Sequence, residues 1–163
     1  TKLIARRMNV DQKLLEEYFI AGLLHDIGKV LINNFFPEEM NRVLEEASKR
    51  EEPIIDIEKR MFGLTHEEIG IAIGKKWRFA NSLLYSVGRH HQPVLEGASA
   101  VFSMSVCVAD TFVKSLEIGF SGNYRVEPVP EEVWTALGLN EEGVFAALST
   151  IGNEIEKAVL FLK

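Results

Sequence analysis

The run over residues 14–32 is nearly all apolar once its acidic start is passed, and His25, Asp26 and Lys29 are what interrupt it. A stretch of that kind, lacking the polar face of a surface helix, predicts one central helix buried on most sides. Burying an unpartnered carboxylate costs on the order of several kcal/mol, so Asp26 requires a partner. His25 does not meet that need along the helix, because adjacent helical residues project about 100° apart. The two side chains can still converge on a third body such as a cation. The plainer alternative is a helix-interior pair satisfied by backbone or other side chains.

The rest of the chain continues the helical pattern. Asn33 and Asn34 are expected to end the central helix, and Pro37 opens another over 38–49, where Met40, Val43, Leu44 and Ala47 form a narrow apolar stripe. Pro53 starts a short segment through Met61. Thr65 and Glu68 have capping-box spacing for a helix from His66 to about Trp77. On that helix His66, Gly70 and Gly74 share one face, where two glycines let a neighbour come close. A helix from about Asn81 to His91 is stopped by Pro93. A second mostly apolar helix follows from Gly97 or Ala98 to about Leu116, interrupted by polar residues that include Asp110. Residues 119–130, with two Gly and two Pro, read as a loop. A short helix over 131–137 and a long amphipathic one over 141–162 close the chain. No period-2 alternation is long enough for a strand, so the pattern predicts an all-α bundle, one domain over 1–163.

Eighteen Lys and Arg against 24 Asp and Glu give a net charge of −6 without a clustered basic stripe, which excludes non-specific nucleic-acid binding. Cys107 lies in the apolar run 101–113 and reads as a small core hydrophobe, consistent with a reducing cytoplasmic setting. No stretch approaches the roughly 18 apolar residues of a membrane span, and residues 1–10 carry no signal-peptide core, so a soluble protein is expected. Thr1 already sits in a helical pattern, which reads as a cut from a longer polypeptide. Phosphate-cradling glycine motifs and the serine-hydrolase elbow are absent from the sequence.

The remaining histidines are ambiguous singly. His66 near a helix start could merely follow the cap, and His90-His91 at a helix C-terminus could be protonated histidines favoured by the dipole. Asp110, in an apolar helix, repeats the cost argument made for Asp26. Together, imidazoles and carboxylates without thiolate suit Fe, Mn, Ni, Co or Zn, as one or two divalent ions able to acidify a bound water. Lys29, one turn after His25, either faces a bound anion or, more simply, snorkels to the surface. Glu58, in a charged stretch, reads most simply as solvated.

The run from Ala21 to Lys29, AGLLHDIGK, resembles the HD superfamily of metal-dependent phosphohydrolases, and His66, His90-His91 and Asp110 follow in that superfamily's order. The text from Phe62 to Gly70, with Trp77 and His90-His91-Gln92-Pro93, is similar to the HDOD branch, the HD-related output domains of bacterial signalling proteins. The match spans about 3–116. It implies an HD-like helical bundle with His25, Asp26, His66, His90, His91 and Asp110 as metal ligands, and Asp26 and Lys29 as catalytic candidates. It also implies a signal-transduction module that binds a signalling protein or a nucleotide-like ligand, with an active phosphohydrolase as the alternative. Separately, the long helix from Glu141 either closes the core or pairs with another chain, which leaves a homo-oligomer as an option. Glu58, eight residues before His66, corresponds to an acidic position of the family. Two features depart from the pattern. Residues 92–97 lack the Gly-Tyr-Pro element of cyclic di-GMP phosphodiesterases, and residues 1–20 hold no counterpart of the superfamily's first histidine.

Overall fold

The structure, a computed structural model, describes residues 1–123 and 125–146. Its regular elements there are helices: α1 (Lys2–Arg7), a 3-10 turn (Gln12–Leu14), α2 (Leu15–Leu24), α3 (Ile27–Phe35), α4 (Pro37–Arg50), α5 (Ile54–Phe62), α6 (His66–Lys76), α7 (Asn81–Gly88), α8 (Ala100–Ser115) and α9 (Glu131–Leu137). Residues 141–146 are also helical, and the rest of the expected C-terminal helix lies outside the described residues.

Three apolar clusters hold these elements together. Ile4 of α1 meets Met104, Val108 and Phe112 of α8 and Val133 and Leu137 of α9. Leu15, Tyr18 and Ala21 of α2 pack on Phe102 and Val106, with the rings of Tyr18 and Phe102 stacked at 4.1 Å. Ile32, Met40, Val43, Ile54 and Ile57 join α3, α4 and α5. Each fully buried Leu or Ile contributes about 1.5–3 kcal/mol relative to exposure. Helix α8 packs against α7, α2, α1 and α9, and α6 against α7 and α3. The α2–α3 junction, the start of α6, the end of α7 and the middle of α8 thereby meet at one place.

The expected single helix over 14–32 is two helices. Asp26 leaves the helical region at φ −97°, ψ 19°, and α3 starts anew at Ile27. The physical reason lies in packing. A Cβ on Gly28 would fall 2.7 Å from the carbonyl carbon of His66, so α3 presses backbone to backbone on the start of α6, and a straight continuation of α2 does not reach there. Asn33 and Asn34 do not end α3. It stops at Phe35, because Phe36 precedes Pro37 and is driven out of the helical region. Helix α7 stops at Gly88, so His90 and His91 lie in the turn beyond it.

Candidate metal centre

Helix α6 begins with the capping box the sequence promised. Thr65 Oγ1 accepts from the Glu68 amide at 3.2 Å, and Glu68 Oε2 accepts from the Thr65 amide at 2.8 Å. That fixes His66 at the first helical position with no exposure to solvent. Its amide, one of the donors a helix start leaves unpaired, donates to Glu58 Oε2 at 2.8 Å, and its ring Nδ1–H donates to the same oxygen at 2.6 Å. Glu58 is itself fully buried, so the reading of it as solvated is wrong. The missed signal was periodicity: Glu58 sits on α5 one turn from Ile54 and beside Ile57, on the buried face of that helix.

Two other rings, those of His25 and His90, are anchored through Nδ1 as well. His25 donates to the Gly22 carbonyl at 2.8 Å and His90 to the Ser86 carbonyl at 3.0 Å. In a neutral ring an occupied Nδ1–H leaves Nε2 as a bare lone pair. Those lone pairs turn inward on Asp26. His66 Nε2 and His90 Nε2 each lie 3.5 Å from Asp26 Oδ1, His25 Nε2 lies 3.4 Å from Oδ2, and His91 Nε2 lies 3.1 Å from His66 Nε2. Asp26 Oδ1 and His90 Nε2 are buried and make no hydrogen bond. Acceptors facing acceptors in a buried space repel one another unless a proton or a cation sits among them. The donor set therefore fits a cation. His66, His90 and His91 form one convergent group and His25, Asp26 and His90 another, each with its ligand atoms within 4.8 Å of one another.

Asp110 stands at the edge of this cluster. Its Oδ1 is 4.0 Å from His25 Nε2, and its other oxygen is paired with Lys114. Lys29 does not snorkel: its side chain is largely buried, and Nζ donates to Asp26 Oδ2 at 2.9 Å and to the Ser121 carbonyl at 3.3 Å. Glu67, not singled out in the sequence, accepts from the His91 amide at 3.1 Å.

Burial would raise the Asp26 carboxyl, but the His25 and His90 rings and Lys29 outweigh it and hold the group well below the usual carboxylate range. Burial lowers His25 too, yet Asp26 and Asp110 carry the net shift upward. Burial, then the neighbouring rings, pushes His91 down, and His90 is likewise lowered. Burial thus disfavours the protonated form in both rings, which lie beyond the end of α7.

The family model of the HDOD domain matches residues 1–93, from the first helix through the His90-His91 turn. This chain belongs to the HDOD domain family. An HDOD domain protein of unknown function from Geobacter sulfurreducens has the same fold, with a TM-score of 0.79 and 29% identity over 97% of this chain. A Shewanella amazonensis SB2B protein provisionally named a phosphohydrolase matches 92% of the chain with a TM-score of 0.62 and 20% identity, which speaks for fold alone. An uncharacterized protein of Treponema pallidum (strain Nichols) is 30% identical over 81 residues, half of the chain. The chain spans 57% and 54% of the two structural relatives and 16% of the Treponema protein. Asp110 falls after the family match, within the HDOD fold the structural relatives share.

Proposed function

We propose that this HDOD domain is a signal-transduction module built on a divalent transition-metal centre, acting by binding a signalling protein or a nucleotide-like ligand. The observation that carries the reading is the convergence of His66 Nε2 and His90 Nε2 on Asp26 Oδ1 at 3.5 Å, with neither Asp26 Oδ1 nor His90 Nε2 making a hydrogen bond. His25, Asp26, His66, His90 and His91 would hold the ion, with Asp110 beside His25. Fe, Mn, Ni, Co and Zn all suit such an imidazole and carboxylate set.

A phosphohydrolase is the second reading, and one feature favours it. A cleft of about 100 Å³ opens on His90 and His91 between α8 and residues that include Asn123, Arg125 and Pro128, and Asp110 and Lys114 also line it. An ion held there would polarise a phosphoryl oxygen. Lys29 keeps Asp26 ionised and turned toward the rings, Glu58 and the backbone carbonyls keep the Nε2 atoms bare, and Lys114 and Arg125 supply positive charge for an anionic ligand. Assays on nucleotides, cyclic dinucleotides and a generic phosphodiester separate the readings. Saturable binding without turnover supports the module. Turnover that disappears in Asp26→Ala replaces it with the enzyme.

A further inference from the structure

Glu58 serves no catalytic or ligand role in the reading above, yet it is among the most costly residues in the molecule to bury. It has no solvent exposure, and its Oε1 makes no hydrogen bond. An ionised carboxylate in that position needs positive charge nearby. Its hydrogen bonds run through one residue, His66, by the amide at 2.8 Å and by Nδ1 at 2.6 Å. The acceptors on the other anchored rings are carbonyls of Gly22 for His25 and of Ser86 for His90, with Glu67 farther from His90 Nδ1 at 3.4 Å.

We infer that Glu58 is a positioning residue that makes His66 the anchoring nitrogen of the centre. The inference rests on the metal-centre reading. A full negative charge on Nδ1–H pushes electron density across the ring to Nε2, which a carbonyl dipole does more weakly, and it fixes the tautomer in which Nε2 is free. The same carboxylate ties down the first amide of α6, so ring orientation and helix start are set by one group. The 2.6 Å contact also gives the buried carboxylate its compensation: positive charge gathered at Nε2 is passed to it through the ring.

The test compares wild-type protein with Glu58→Gln, which keeps shape and an accepting oxygen but removes the charge. Co²⁺ affinity is measured by chelator competition and the metal-free stability of both proteins by urea unfolding. The expected result is roughly ten- to hundredfold weaker Co²⁺ binding, with the metal-free unfolding midpoint equal to or above that of wild type. Equal affinity overturns the inference, as does an affinity loss accompanied by a matching loss of metal-free stability. Wild-type protein that takes up no Co²⁺ sinks the metal-centre reading and the inference together. Should the variant not fold, ¹⁵N spectra of the Zn²⁺-loaded wild type decide: His66 protonated at Nδ1 is the expected state, and His66 unprotonated at Nδ1 contradicts it.

Discussion

The site depends on residues that do nothing chemical themselves. Gly28 is one, since a methyl group there would land on the His66 carbonyl, which is backbone and cannot swing aside. Gly28→Ala is expected to lower stability by about 1–3 kcal/mol, read as a shift in the urea midpoint; an unchanged midpoint would refute the close approach of α3 and α6. Cys107 is another kind of case. It is buried against the cleft, and burial pushes its thiol up to about 11. At pH 8 roughly one thiol in a thousand is ionised, so native protein should react slowly with Ellman's reagent and unfolded protein fast. His25, Asp26 and Asp110 were legible in the sequence because charge in an apolar run is conspicuous. Glu58 was not, since a glutamate in a polar-looking stretch reads as solvated until the fold shows which face it occupies, and Lys29, conspicuous in the apolar run, could be read as anion-facing or snorkelling until the fold supplied its partners Asp26 and Ser121.

Among the elements, α4, α6 and α9 follow their local signals closely: proline at a helix start, a capping box, a polar boundary. Thr65→Ala removes the cap that fixes His66 and is expected to cost about 0.5–2 kcal/mol, measured by urea unfolding of the metal-free protein. A neutral result would show that the buried Glu58 contact alone holds the helix start. The break between α2 and α3 was not legible. Nothing local at His25 and Asp26 ends a helix, and hydrophobic periodicity carries across the junction; the turn is imposed by α3 docking on α6, a contact between residues far apart in sequence. The early end of α7 at Gly88 was missed because Pro93 is a visible stop and Arg89, at φ −146°, is not.

At the scale of the molecule, helices brought together by three apolar clusters surround a polar centre whose charges depend on pH. His90 and His91 have lowered folded-state values, so below their unfolded value of 6.5 the unfolded chain takes up protons that the fold resists. His25 has a raised value; its contribution is fully present below 6.5 and lost as pH rises through the folded value. Asp26 has a lowered value, and its contribution holds above 3.8 and is lost below. The metal-free protein is therefore expected to lose stability as pH falls below 6.5, by at most about 1.4 kcal/mol per pH unit for each of the two lowered rings. Urea midpoints in chelator at about pH 7 and pH 5 check this, and a rise toward acid would contradict it. The charge balance of the chain and its all-helical character were readable from composition and period, and no helix among the described residues is long and apolar enough to cross a membrane. The most direct test of the account is the metal content of protein purified without chelator and supplied with Fe, Mn, Ni, Co or Zn. One or two ions per chain, lost in Asp26→Ala, is the predicted result; wild-type protein that binds none of these ions would contradict it.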